Sequence, residues 1–146
     1  MIIHPDFKDF LRLLNQQKVN YLLIGAYALG LLGYPRNTGD MDIWFENEPD
    51  NIQKLLKVLS EFGFGSLQIT SNDLSEPGIV IQLGREPVRI DIMNDISGVS
   101  FPDAFASKVD FDVEGMKINC ISLEYFKVNK KASGRAKDIG DLERLA

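Results

Sequence analysis

Three aspartates in this chain have the type and spacing to do chemistry. Asp40 and Asp42 are one residue apart in DMDIWF (40–45), and Asp91 lies in VRIDIMN (88–94). Side chains two apart on a strand point the same way, with Cα atoms about 6.5–7 Å apart, so both can reach one ion or two adjacent ions. Met41, Ile43 and Phe45 fall on one face, with Asp40, Asp42 and Trp44 on the other. Val88, Ile90 and Ile92 alternate in the same way with Arg89, Asp91 and Met93. If the two strands are neighbours, Asp91 completes a three-carboxylate cluster. Like charges beside a core need a partner, and such a cluster suits hard cations. Mg²⁺, with Mn²⁺ as the alternative, takes carboxylate oxygens, waters and substrate phosphates. In a two-metal arrangement one ion lowers the pKa of an attacking hydroxyl and the other holds a triphosphate and its leaving pyrophosphate.

The elements that must position these residues follow from periodicity. Phe7, Phe10, Leu11 and Leu14 give a helix over 5–17, started by Pro5 and Asp6. NYLLIG reads as a buried strand ending at Gly25, and AYALGLLG as a short helix closed by Gly33. Gly25 thus lies at a strand-to-helix turn, where free backbone N–H groups favour phosphate. Arg36 and Thr38, just before the carboxylates, can donate further hydrogen bonds. Ile52, Leu55, Leu56, Leu59 and Phe62 mark a helix over 49–63. GIVIQL and VRIDIMN form a hairpin around GREP, and KVDFDV pairs with MKINCIS around Glu114-Gly115. From about 122 the tail reads as two helices broken near Ser133-Gly134, the second burying Ile139, Leu142 and Leu145. The class is α/β or α+β, a mixed sheet flanked by helices.

A chain of 146 residues, 45% hydrophobic, builds one ordinary core, and we expect a single domain over 1–146. A net charge of -5 argues against holding nucleic acid by general electrostatics. One cysteine, Cys120, excludes an internal disulfide and a Cys-rich zinc site, and fits a reducing, cytoplasmic setting. The one histidine, His4, is near the terminus, so a His base is not expected. No apolar run approaches the roughly 20 residues of a membrane span.

At Gly25-Ala26, at GYPRNTGDMD (33–42) and at RID ending on Asp91, the sequence resembles the nucleotidyltransferases of the DNA polymerase beta-like superfamily. It looks most like the small bacterial members related to abortive-infection and toxin–antitoxin systems. Their pattern is a strand, two small residues, a short helix, Arg-x-Thr or Arg-x-Ser, Asp-x-Asp and a later Asp. The tail KKASGRAKDIGDLERL is similar to the family's C-terminal segment, which places Lys130, Arg135, Lys137 and Asp138 at matching positions. The chain departs at Ala26, where Ser or Gly is usual, and at Leu32, where His is common.

The resemblance implies a metal-dependent, ATP-binding type of enzyme that moves a nucleoside monophosphate from an NTP to a hydroxyl and releases pyrophosphate. Asp40, Asp42 and Asp91 would bind metal. Gly25, Ala26, Arg36, Thr38 and Lys130 would hold the nucleotide. The acceptor, be it a protein, an RNA or a small molecule, has no signature, and a partner protein of a toxin–antitoxin pair is an open expectation. The alternative is an antitoxin-like or regulatory nucleotide-binding module with little turnover. Trp44 is expected to pack, or to cover a sugar or base. Asp110 and Asp112 form another D-x-D, but no glycine turn or Arg-x-Thr precedes them, so they should lie on an exposed strand face.

Overall fold

The structure is a computed structural model that describes residues 3–34, 39–85 and 87–145, the side chain of Ser66 apart. Arg36 and Thr38, and Glu86 of the expected GREP turn, lie outside the described residues.

Six strands form one mixed sheet: β1 (Tyr21–Ile24), β2 (Asp40–Phe45), β3 (Val80–Arg85), β4 (Val88–Met93), β5 (Val109–Val113) and β6 (Met116–Cys120). Their order is β3-β4-β2-β1-β6-β5, as the mixed class requires. β2 runs antiparallel to β1 and parallel to β4, while β3–β4 and β5–β6 are antiparallel hairpins. The parallel β2–β4 pair matters most, because it sets Asp42 directly opposite Asp91 and Asp40 opposite Arg89.

The apolar stripes bury as their spacing dictates. Helix α1 (Pro5–Gln16) sinks Phe7, Phe10, Leu11 and Leu14, and α3 (Pro49–Leu59) sinks Ile52, Leu55 and Leu59 together with Val58, while the expected Leu56 and Phe62 are half-buried. The expected α3 runs on to Gly63 only as a wider turn, Ser60–Phe64, in which Gly63 takes φ 99°. Met41, Ile43 and Phe45 are fully buried, and Ile90 and Ile92 join them from β4. Trp44 is buried too, edge-on to Phe101 at 5.1 Å, so it packs rather than covering a ligand. It anchors α5 (Phe101–Ala106) on the carboxylate face of the sheet.

Two short helices, α5 and α4 (Ser71–Ser75), have no periodicity long enough to read from the sequence. The second is started by a reciprocal Thr70–Asp73 capping box. Two buried asparagines also escaped pattern reading. Asn51 accepts from the Asn20 backbone N–H at 2.7 Å and donates to Glu46 O at 2.8 Å, tying the start of β1 to the end of β2. Asn94 donates to Leu74 O and Glu76 O and accepts from Gly78 N–H, fixing the chain that enters β3. Asp110 and Asp112 sit on the exposed face of β5 as expected.

The tail forms α6 (Leu123–Ser133) and α7 (Ala136–Arg144), separated by Gly134 in the left-handed region at φ 65°. The buried face of α7 differs from the expected one. Ile139 is 49% exposed and Leu142 half-buried, while Asp138, Asp141 and Leu145 are buried. Leu145 is buried as expected, but ahead of it the buried positions fall one residue earlier than expected, where Asp138 meets Lys130, Ser133 and Arg135 on the α6–α7 junction.

Candidate nucleotide and metal site

Strand β1 ends at Ile24 and the chain turns at once into α2 (Gly25–Leu31). Gly25 makes that turn at φ 70°, a conformation side chains rarely adopt. Contact demands glycine as well, since a Cβ there would lie 2.3 Å from Asp42 Oδ2. The turn therefore presses its backbone against the carboxylate of the neighbouring strand. Ala26 follows on the wall of the same cavity and offers no hydroxyl.

Asp40, Asp42 and Asp91 converge as their strand phase predicts, each presenting an oxygen within 4.8 Å of the others. Burial pushes the Asp42 carboxyl up to about 6, with the Asp40 and Asp91 charges adding to it and Lys130 and Lys137 opposing. Asp91 is raised by burial as well, against the hydrogen bond and charge of Arg89. Packing like charges at the edge of a core thus makes the site a sink for protons or cations.

Arg89 is the cation already present. Its Nε donates to Asp91 Oδ1 at 3.0 Å, and its Nη2 donates to Asp91 Oδ2 and to Asp40 Oδ2, both at 3.1 Å. The signal for this clasp was visible as Arg-x-Asp on one strand face, but the bridge to Asp40 depends on strand pairing.

The carboxylates floor a cavity of about 630 Å³ whose opposite wall is the α6–α7 junction, with Lys130, Ser133, Arg135 and Lys137. Lys130 is buried within that wall. It is 8% exposed, with Nζ 3.4 Å from Asp138 and 5.2 Å from the centre of the Phe126 ring. Asp138 is wholly buried. Burial alone would raise its pKa, but hydrogen bonds from Arg135 and Ser133 and the charges of Lys130 and Arg135 outweigh it, holding the carboxyl well below the usual range. Arg135 Nε reaches it at 2.7 Å and Ser133 Oγ at 2.5 Å. Asp138 thereby fixes two cations at the junction facing the triad. Arg36 and Thr38 cannot be placed, as they lie outside the described residues.

One cavity thus has carboxylates on its floor and cations on its wall, the polarity that a metal-bound polyphosphate would match. Residues 4–146 match a family described as nucleotidyl transferases of unknown function, DUF2204. The chain belongs to that family. The crystal structure of Thermotoga maritima TM1012, itself assigned only provisionally as a nucleotidyltransferase, superposes with a TM-score of 0.64 at 21% identity. That match covers 99% of this chain and 94% of the other. It shows a shared nucleotidyltransferase fold. The antibiotic-resistance factor ANT(2'')-Ia also aligns, at a TM-score of 0.49 and 14% identity, over 84% of this chain and 66% of its own. No curated protein sequence matches significantly. Among the described residues, no helix of this nucleotidyltransferase is long and apolar enough to cross a membrane.

Proposed function

We propose that this nucleotidyltransferase moves a nucleoside monophosphate from an NTP to an acceptor hydroxyl, with Asp40, Asp42 and Asp91 as metal ligands. The observation that carries the reading is the triad itself. Three hard oxygen donors sit within 4.8 Å of one another, opposite a cationic wall. The donor set fits Mg²⁺ or Mn²⁺, both oxygen-seeking ions. A divalent ion bound there would neutralise the triphosphate and lower the pKa of the acceptor hydroxyl.

The chain's own residues do the rest. Lys130, Arg135 and Lys137 face the floor and hold the triphosphate by charge, while the Gly25–Ala26 backbone bounds the phosphates on the β1 side. Asp91, opposite Asp42 and next to open cavity, orients the acceptor hydroxyl and draws off its proton as the acceptor oxygen bonds to the α-phosphorus. The bond from that phosphorus to the bridging oxygen breaks, and pyrophosphate leaves toward the cationic wall. The acceptor is a hydroxyl of a protein, an RNA or a small molecule.

A second reading, a nucleotide-binding module with little turnover, draws on Ala26, which lacks a hydroxyl for the terminal phosphate. Transfer of labelled NMP and pyrophosphate release, with Mg²⁺ or Mn²⁺ and a panel of hydroxyl acceptors, separates the two. Asp91→Asn should keep Mg·NTP binding within a few-fold and lose about a hundredfold or more in the transfer step, because acceptor activation is lost while Asp40 and Asp42 remain. Full-rate transfer in that variant refutes the assigned role of Asp91.

A further inference from the structure

The cavity is not uniform in chemistry. Lys130, Arg135 and Lys137 stand on the α6–α7 junction, whereas the wall built by β3 and by the segment that leaves β4 is largely apolar. Val80 pairs with Met93 across the β3–β4 hairpin, so both side chains lie on the carboxylate face, and Ile96 joins them in lining the cavity. Met93 follows Asp91 by two residues on β4, which puts it about 6.5–7 Å farther along the same face. Val80 is 54% exposed on an edge strand, where charged side chains are usual. Among the described residues, Leu67, Val80, Val128 and Ile139 are the large apolar side chains left exposed, and of these Val80 alone lines the cavity. The wall is also fixed in place. Asn129 of α6 donates to Ser97 O at 3.0 Å, and Gly98, at φ 76°, lies so near α6 that a Cβ there would meet the Ala132 Cβ at 2.5 Å. Among the described residues of this wall, Val80, Met93, Asp95, Ile96 and Ser97, the one charge is the Asp95 carboxylate.

We infer that the Val80–Met93–Ile96 wall receives the acceptor, and that the acceptor is an uncharged alcohol or phenol whose hydroxyl is carried on an apolar body, not the end of a nucleic acid. This rests on the reading that the site transfers NMP. With the triphosphate drawn to the cations of the α6–α7 junction, an acceptor hydroxyl beside Asp91 has its body over Met93, Val80 and Ile96. An apolar body removes from water side chains that the folded protein leaves partly exposed, and gains affinity by doing so. A nucleic-acid end instead brings phosphates toward Asp95 on a wall that offers them no cation among its described residues. In the transfer, the hydroxyl gives its proton to Asp91 as its oxygen bonds to the α-phosphorus, and the bridging oxygen leaves with the bonding electron pair as pyrophosphate. Acceptor choice then lies with the apolar wall, and nucleotide binding with the cationic one.

The test uses N-acetyl-tyrosinamide as a neutral phenol, a short tyrosine-containing peptide as the same group on a protein chain, and an oligoribonucleotide with a free terminal hydroxyl. Saturation-transfer NMR reads the binding of each to the protein with Mg²⁺ and a non-hydrolysable NTP, and pyrophosphate release with NTP reads transfer. The phenol should bind and accept at least roughly tenfold better than the oligoribonucleotide. Val80→Asp, a change at an exposed position, should raise the KM for the phenol about tenfold and leave Mg·NTP affinity within about twofold, while Val80→Leu keeps the wild-type KM. Ile96→Asn should raise the same KM and carries the test if Val80→Asp does not fold. A peptide better than the amide supports a protein side chain as the source of the hydroxyl, and the reverse supports a free small molecule. Preference for the oligoribonucleotide, or an unchanged KM for the phenol in both variants, overturns the inference while NMP transfer stands. Phenol binding that Val80→Asp weakens, without pyrophosphate release from any acceptor, keeps the apolar subsite and sinks the transfer reading. Absence of both binding and transfer overturns both.

Discussion

Replacing Asp42 by asparagine should make the metal-free protein more stable, although it removes a candidate ligand. Partial burial, with the Asp40 and Asp91 charges facing it, pushes the Asp42 carboxyl up to about 6 from 3.8 for an ordinary aspartate. A carboxyl with a raised folded-state pKa binds its proton more tightly folded than unfolded. Stability from this group is therefore fully present below the unfolded pKa and is lost as pH climbs through about 4 to 6. Roughly two pKa units at 1.36 kcal/mol each set an upper limit of about 3 kcal/mol for the cost of the ionised form near neutral pH. Asparagine mimics the protonated acid but brings an amide to desolvate, so a gain of about 1–2 kcal/mol is expected. For a chain of this size that is a rise in Tm of roughly 3–8 °C. Urea and thermal melts of both proteins at about pH 5 and 7.5 read it, and the difference should shrink at the lower pH. Saturating Mn²⁺ should reverse the order, since 100-fold excess over Kd stabilises a binding protein by about 2.7 kcal/mol. A destabilised Asp42→Asn at neutral pH without metal, or a difference that ignores pH, refutes the electrostatic account.

The remaining predictions follow from the geometry around the triad. Gly25→Ala should cost about 2–4 kcal/mol in urea melts, combining left-handed backbone strain with a forced shift of the Asp42 carboxylate. The double variant with Asp42→Ala should recover part of that loss, and strict additivity would mean the contact carries no energy. Lys130→Ala should destabilise by about 2–3 kcal/mol, because it removes a cation from a carboxylate with no exposed surface. Arg135→Ala should cost about 1 kcal/mol or less, as its side chain is 68% exposed. Equal effects in denaturant melts would place the Asp138 compensation elsewhere. Mn²⁺ affinity should fall about tenfold per pH unit below about 6, where Asp42 protonates, and a flat titration profile would exclude it as a ligand.

The sequence by itself determined the strand phases. Alternation in DMDIWF and VRIDIMN put Asp40 and Asp42 on one face and Asp91 on the polar face of another strand, and alternation is a local property that needs no tertiary information. The apolar stripes of α1 and α3, the hairpins and the break at Gly134 were legible for the same reason. Only the tertiary structure decided that β2 and β4 are parallel neighbours in the register that opposes Asp42 to Asp91, since nothing local ties residues 49 positions apart. It also decided which face of α7 is buried. The helical period allowed Ile139–Leu142–Leu145, and Leu145 is buried, but Asp138 and Asp141 take the inward places of Ile139 and Leu142, with Asp138 held by Lys130, Ser133 and Arg135. Arg89 shows the same division: its spacing from Asp91 is in the sequence, while its bond to Asp40 exists only because two strands meet. Charge compensation among buried groups depends on distances across the fold, and those distances arise only when the sheet and the terminal helices close over one another.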